Sequence, residues 1–320
     1  MIRSAELKRP PLALLRALFV ACALAPALGL AQDSAIVGVD VQKLANAVLA
    51  VMGFTVTPDV TTGSLSISNQ ATGNPHFKQG AIGGGFTLGN RSLYLEGTAA
   101  YARYDPTFLA GSPAGQEPIS ANWDSVSLGG GIGWDFPLDG GWTLRPIFNV
   151  SLGRVTSSGV GERSSLEARS DAESVFLRDG ELNALGLGGS IMLDYERYRP
   201  EGEIDLELRY SNIRLQSFDS STAVEGHASA QSASVWARWR APTRMRLLEH
   251  PLRYVLEYAY TRFLGDLEGT LGFEDIHSFG IGLELDSSAR DVVVARTRLL
   301  ARYRVGNNVD GWAVGLALSF

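Results

Sequence analysis

The chain has 320 residues, of which 45% are hydrophobic, and its formal net charge is −6 at pH 7. An acidic chain lacks the basic surface that binds phosphate backbones, so we expect no nucleic-acid partner. The single cysteine, Cys22, excludes a disulfide framework.

The first segment has the pattern of a secretory signal peptide. Basic residues precede an apolar run over residues 12–30, which ends in the small-x-small pattern of Gly29, Leu30 and Ala31. We therefore predict that residues 1–31 are a signal peptide and that the mature chain is exported. Two alternatives are a retained membrane helix, which Arg16 and Pro26 disfavour, and lipoprotein cleavage before Cys22, which the apolar residues after it disfavour.

Residues 32–63 form a separate N-terminal segment with one predicted helix. Asp40 is a candidate N-cap, apolar residues follow at helical spacing through Met52, and Gly53 is a candidate stop. The segment is followed by a different pattern over residues 64–320.

From residue 64 onward, large apolar residues alternate with small or polar ones for about ten residues at a time, which predicts β-strands. Twelve such segments are recognised, the first being the weak SLSIS at 64–68. The others begin near Gly80, Ser92, Asp124, Gly141, Asn183, Glu203, His227, Arg253, Glu274, Val292 and Gly311.

A soluble sandwich and a membrane barrel both produce alternating strands. Sandwich strands are short and place their polar face in water. Barrel strands of about 9–11 residues place the apolar face in lipid, with aromatic residues near both interfaces. The strand length, the aromatic strand ends and the Gly- and Ala-rich polar face favour an all-β, transmembrane antiparallel β-barrel of about twelve strands.

In such a barrel the polar face of each strand lines the lumen. One role for charges on that face is to form ion pairs with one another across the wall, which rigidifies the barrel. The alternative role is selection of ions or solutes. Arginines concentrate on two late strands, so we predict a basic and an acidic side of the wall. The predicted lumen-lining charges are Glu96, Arg145, Asp194, Asp205, Glu207, Arg209, Arg238, Arg240, Glu257, Glu284, Arg296, Arg298, Arg302 and Arg304.

Connections alternate between tight turns and long loops, which are typical of the periplasmic and extracellular sides of a barrel. The segment 241–252 breaks this rule, because it lies on the short-turn side and yet is long. We predict either a short interfacial helix there or a long turn.

The chain ends in GWAVGLALSF, an alternating strand with a terminal aromatic residue. In outer-membrane proteins generally, such an ending is recognised by the barrel-assembly machinery. The predicted insertion signal consists of Trp312, Val314, Leu316, Leu318 and Phe320.

No catalytic, cofactor-binding or metal-binding constellation stands out, so we expect neither an enzyme nor a cofactor. The four histidines are widely spaced, without a ligand pattern. A hydrolase triad of His227, Ser229 and Glu225 is the weak exception. The glycine clusters lie inside predicted strands with no helix following, which excludes a phosphate loop.

A signal peptide, a short helix, about twelve strands and a terminal aromatic residue together resemble the translocation domain of bacterial autotransporters. Autotransporters normally have a long passenger between the signal peptide and the barrel. Here only residues 32–63 lie between them, so the chain is most similar to solitary, passengerless barrels. The resemblance implies a helix inside the pore. The helix's wide apolar face suits a charged pore poorly, so a periplasmic or interface-bound helix and an unfolded leader stay open as alternatives.

Two functional hypotheses follow for a protein of the Gram-negative outer membrane. The first is a barrel without passenger that has a structural or surface-interaction role through its long loops. The second is a porin-like small-solute channel with a charged lumen. The expected partners are outer-membrane lipid, the assembly machinery and a surface ligand that the sequence does not identify.

Overall fold

The structure is a computed structural model that describes residues 41–56, 63–69, 76–88, 92–105, 107–112, 115–160, 180–199, 201–219, 226–287, 296–307 and 309–319. The predicted signal peptide, residues 1–31, lies outside these ranges.

One helix and fourteen strands are present in the described ranges. The helix is α1, Val41–Val56. The strands are β1 Gly63–Asn69, β2 His76–Thr87, β3 Leu93–Tyr104, β4 Thr107–Ser112, β5 Gly115–Trp134, β6 Phe136–Pro137, β7 Trp142–Val160, β8 Glu181–Arg199, β9 Gly202–Phe218, β10 His227–Leu247, β11 His250–Gly265, β12 Asp275–Asp286, β13 Arg296–Gly306 and β14 Val309–Ser319.

Twelve of the strands form a closed antiparallel ring. The order runs from β5 through β3, β2 and β1 to β14, and then backward along the chain to β7, which pairs with β5. The strands β4 and β6 are short additions that pair with β5 and β7. The predicted antiparallel barrel of about twelve strands is confirmed. Closure removes every sheet edge from the ring, so the backbone hydrogen bonds of the barrel are satisfied within it.

The two ends of the barrel differ in their connections. One end, called here the short-turn end, carries the β2–β3, β5–β7, β8–β9 and β10–β11 turns. The other, the long-loop end, carries the β7–β8 connection and the β4–β5 hairpin. The last residue of β14, Ser319, pairs with Arg296 at the start of β13 and so lies at the short-turn end.

The segment 241–252 differs from both predicted forms. It is neither a helix nor a long turn, because β10 continues to Leu247 and β11 starts at His250. A two-residue turn at Leu248 and Glu249 joins them, with φ values of 51° and 66°. Positive φ at both central residues is the type I′ geometry that matches the twist of a β-hairpin.

No helix in the described ranges is long and apolar enough to cross a membrane.

Candidate functional site

The outward face of the barrel is apolar. Large side chains such as Ile132, Phe148, Ile281 and Leu299 are exposed there, while the residues between them on the same strands point inward and are mostly buried. This arrangement inverts the soluble pattern and is the one expected when lipid is the solvent.

Aromatic residues form two groups on the outward face. Near the short-turn end lie Trp134, Trp142, Tyr195, Trp239 and Tyr254; toward the long-loop end lie Tyr101, Tyr258, Phe279, Tyr303 and Trp312. Within these groups, Trp142 packs at a tilt against Tyr195 and Tyr303 against Trp312, each with ring centroids 4.9 Å apart. Such girdles are typical of the two membrane interfaces.

The helix α1 lies inside the lumen, in its long-loop half. Val48, Leu49 and Met52 are fully buried, in one continuous cluster with apolar side chains from most strands of the ring. The wall residues of that cluster include Phe77, Ala102, Trp123, Val155, Leu182, Ala184, Ile213, Leu215, Ala228, Ala230, Phe263, Ile276 and Val309. The lumen is therefore apolar where it holds the helix, which answers the objection that an apolar helix suits a charged pore poorly.

Phe54 packs α1 against aromatic residues of β2, of β11 and of the β11–β12 connection. Its ring centroid lies 4.7 Å from that of Phe263, 6.0 Å from Phe273 and 6.2 Å from Phe77. Tilted and edge-on aromatic pairs at these distances add to the stabilisation that burial alone provides.

The direction of α1 is fixed by contacts at its two ends. At the long-loop rim, Asn46 accepts a hydrogen bond from the backbone N–H of His227 at 2.9 Å. A Cβ built on Gly226 would lie 3.1 Å from the Cβ of Ala45, so only glycine fits there without a shift. At the other end, Val56 borders a small cavity with Glu96 and Asn149, near the middle of the barrel. The helix therefore runs inward from the long-loop rim.

Directly beyond the end of α1, a polar layer spans the lumen. Arg209 on β9 donates to both carboxylate oxygens of Glu96 on β3, at 2.7 and 2.9 Å, although three strands separate β3 from β9 in the ring. Asn149 donates to Glu96 at 2.6 Å and accepts from Ser190, which also bonds Ser211. These five residues are called here the central polar layer. This bidentate pair holds β3 and β9 in one position relative to each other.

The short-turn half of the lumen holds a charged network. At its centre, Arg240 lies 2.9 Å from Asp205, 3.1 Å from Glu203 and 3.5 Å from Glu284. Glu284 is completely buried and also pairs with Arg298 at 2.7 Å. Pairing of this kind offsets much of the free energy that burying a charge costs.

Further pairs join strands that are not neighbours. Arg302 on β13 pairs with Glu257 on β11 at 2.8 Å, across β12, where Gly280 leaves room for both side chains. Arg296 on β13 pairs with Glu203 on β9 at 3.1 Å, with three strands between them. The network therefore crosses the lumen as well as following its wall.

The sequence of residues 30–247 matches the family model of the autotransporter β-domain. The chain belongs to this family. Similar solved structures include the translocator domain of the autotransporter NalP from Neisseria meningitidis (12% identity, 88% of this chain and 96% of that chain, TM-score 0.44) and the transport unit of AIDA-I from Escherichia coli (13%, 86% and 99%, 0.46). The β-domain of the Bordetella autotransporter BrkA is a third (12%, 82% and 100%, 0.45). Among curated proteins, none matches the sequence.

In this autotransporter β-domain the predicted lumen charges face inward, and most are paired. The pairs not yet given are Arg145 with Asp135 at 2.5 Å and Asp194 at 3.6 Å, and Arg238 with Asp205 at 2.5 Å and Glu257 at 3.9 Å. Glu207 makes no ion pair or hydrogen bond to the described residues, and Arg304 is half-buried on β13. Whether these charges select a permeant stays a prediction.

Among the described residues, the wall is not divided into a basic and an acidic side. The acidic strand β9 is the direct neighbour of β10, so Arg238 is paired in register with Asp205. Glu257 and Glu284 lie on the two strands between β10 and β13 and pair with the arginines of β13. The prediction from strand composition failed because it ignored these intervening carboxylates.

Glu203, Arg253, Asp135 and Asp286 belong to the ion pairs of the lumen but were not among the predicted lumen-lining residues. Arg253 lies 2.7 Å from Glu203 and 3.6 Å from Asp286. Its position on the same strand face as Glu257 was a usable signal. Asp135 directly follows the end of β5 and continues the inward parity of Gly131 and Gly133, so strand alternation was a usable signal for it as well.

Of the predicted insertion signal, Trp312, Val314 and Leu316 are exposed on the outward face. The side chain of Leu318 and the whole of Phe320 lie outside the described residues, and recognition of this ending stays a prediction.

The hydrolase hypothesis gains no support from geometry. The Ser229 hydroxyl is hydrogen-bonded to Asn212 at 3.4 Å and to Gln231 at 2.9 Å, while Glu225 lies outside the described residues. In the described part of the chain, no group of three or more His, Cys, Asp or Glu side chains is arranged to hold a metal ion.

Proposed function

We propose that this protein is an integral barrel of the Gram-negative outer membrane, of the autotransporter type, whose lumen is held closed and whose long loops serve a structural or surface-interaction role. The short turns then face the periplasm and the long loops the exterior. The proposal includes the absence of a passenger, because the sequence places only residues 32–63 between the predicted signal peptide and the barrel.

One observation carries the proposal: α1 occupies the long-loop half of the lumen through a continuous apolar cluster with the wall. A helix that completes the core of the barrel costs much free energy to remove, because each buried Leu or Met side chain contributes roughly 1.5–3 kcal/mol. The charged network supports the same conclusion, since its arginines are neutralised by carboxylates rather than left to attract anions.

Planar-bilayer recording tests the closure. The full-length protein is compared with a variant that lacks residues 41–56 and with one that adds Arg209→Ala to this deletion. We expect the full-length protein to show no steady conductance, the deletion to open a channel, and the combined variant to conduct more. The control is a lipid-facing substitution, Leu299→Val, in the full-length chain.

Equal conductance of the full-length and helix-deleted proteins would contradict the closed barrel and favour the alternative, a porin-like small-solute channel. Silence of all three proteins would mean that the wall side chains alone close the lumen.

A further inference from the structure

The β10–β11 hairpin extends beyond the paired parts of β9 and β12 at the short-turn end. Pairing of β10 with β9 ends at Arg240, and pairing of β11 with β12 ends at Leu252. Among the described residues, the strand pairs of residues 242–251 lie within the hairpin: Pro242 with Arg253, Arg246 with Pro251 and Leu247 with His250. This segment is called here the tip ribbon. A two-stranded ribbon without a third paired strand is at best marginally stable in water.

The tip ribbon exposes apolar side chains that a water-facing turn would not favour. Leu248 is 75% exposed, and Met245 and Leu247 are each 53% exposed. Leu248 also has a positive φ, at a turn position where Asn, Asp or Gly is the usual choice. A bulky apolar residue at such a position gains free energy only if the tip is removed from water.

The backbone of the tip ribbon is irregular at its bulge and at its turn. Of the four non-glycine residues with positive φ in the described chain, Arg244, Leu248 and Glu249 lie in it. The pairing register shifts between Pro242 and Arg246, where Thr243 fills the bulge by donating to the backbone carbonyl of Leu252. A bulge of this kind bends a ribbon away from the line of its strands.

The tip ribbon continues directly from the lipid-facing surface. Trp239 and Tyr254 of the short-turn girdle lie immediately before the bulge on the two strands. An aromatic girdle marks the level of the lipid headgroups. The exposed cations Arg244 and Arg246 therefore lie just beyond that level, where the phosphates of a phospholipid leaflet are found.

We propose that the tip ribbon is a membrane-surface anchor that inserts Met245, Leu247 and Leu248 into the phospholipid leaflet at the short-turn end, with Arg244 and Arg246 at the lipid phosphates. Apolar side chains combined with arginines are the composition of interfacial anchors, and arginine binds phosphate oxygens through a planar fork of donors. The orientation in the membrane is taken from the proposed function.

Fluorophore labelling of single cysteines tests the anchor in a Cys22→Ser background. The full chain is folded into vesicles of phosphatidylethanolamine and phosphatidylglycerol, so either orientation presents the same lipid to the ribbon. The label is attached at Leu248→Cys, at Leu256→Cys in the lipid-facing band, or at Glu201→Cys on the exposed β8–β9 turn. We expect brominated lipid to quench the Leu248 and Leu256 sites, and iodide to quench them several-fold less than the Glu201 site.

Charge dependence is the second readout. Arg244→Gln combined with Arg246→Gln should make the Leu248 site several-fold more accessible to iodide in vesicles containing phosphatidylglycerol. The same change should have a smaller effect in phosphatidylcholine alone, because that surface carries no net charge. Heat-modifiable migration on gels confirms that each variant is folded.

An iodide-accessible Leu248 site together with a shielded Leu256 site overturns the anchor but leaves the membrane barrel intact. Exposure of both sites in folded protein contradicts the membrane placement itself. A Leu248 site that is exposed in vesicles but shielded in native outer-membrane fractions also overturns the proposal, because the occupant is then a periplasmic protein.

Discussion

At the scale of single residues, the contribution of a buried charge to the stability of the barrel depends more on its partners than on the strand face on which it lies. Glu284 and Glu207 both point inward and both are at least nine-tenths buried. Glu284 is surrounded by Arg298, Arg240 and Arg253, whereas Glu207 makes no ion pair to the described residues and lies directly opposite Asp194 in the β8–β9 register. Strand alternation predicts the face but gives no information on these partners.

Glu284→Gln should destabilise the barrel by about 3–5 kcal/mol, since removal of one partner leaves buried arginines uncompensated. Glu207→Gln is the matched control and should cost much less, because Glu207 makes no ion pair to the described residues and its attraction to Arg209 is opposed by repulsion from Asp194 and Glu96. Unfolding titrations in lipid measure both free energies. Equal costs for the two variants would mean that the ion pairs of Glu284 do not stabilise the barrel.

Leu283, the outward-facing neighbour of Glu284, tests whether the apolar face of the barrel contacts lipid. Leu283→Arg should cost roughly 2–4 kcal/mol if this exposed position lies near the bilayer midplane. The same titration measures it, with Leu283→Ile as a control of similar volume. An arginine tolerated at Leu283 as easily as in a surface loop would contradict the outward-apolar arrangement.

At the scale of elements, α1 was predictable as a helix, and its place in the lumen could also have been inferred. Along the inward face of β9, charged residues from Glu203 to Arg209 give way to Ile213 and Leu215. On the neighbouring strand β10, the inward face changes in the same sense, from Arg240 to Ala228. The change along each strand marks an apolar half of the lumen, whereas composition averaged over whole strands conceals it.

The cross-lumen pairs could not be predicted in this way. Glu96 and Arg209 are 113 positions apart, and their contact depends on strand tilt and register, which alternation leaves open. The tip ribbon was also not predicted, because its turn residues Leu248 and Glu249 lack the usual hairpin signature.

Leu49→Asp should release α1 from the wall, because Leu49 is fully buried against apolar residues and a carboxylate there would have no partner. Hydrogen exchange of the backbone amides of residues 45–56 measures the release as a loss of protection. The control is Leu49→Met, which nearly conserves volume and should retain protection. Unchanged protection in Leu49→Asp would show that the apolar contacts do not hold the helix.

At the scale of the whole molecule, the barrel combines two kinds of closure. The long-loop half is filled by α1, and the short-turn half is crossed by the central polar layer and the charged network. The apolar half derives its stability from removal of surface from water, while the polar half provides geometric specificity through paired charges. The twelve-strand ring was predictable from alternation and loop length, and the division of its interior depends on contacts between distant strands.

The placement of α1 in the lumen is tested most directly by a disulfide between helix and wall. A Cβ on Gly226 lies 3.1 Å from that of Ala45, close to the separation that a disulfide spans after a small adjustment. Ala45→Cys with Gly226→Cys, in a Cys22→Ser background, should oxidise nearly completely in folded, membrane-embedded protein. Ala45→Cys with Ala233→Cys, which places the second thiol on the outward face of β10, should stay reduced. A Gly226 pair that stays reduced in folded protein would contradict the account.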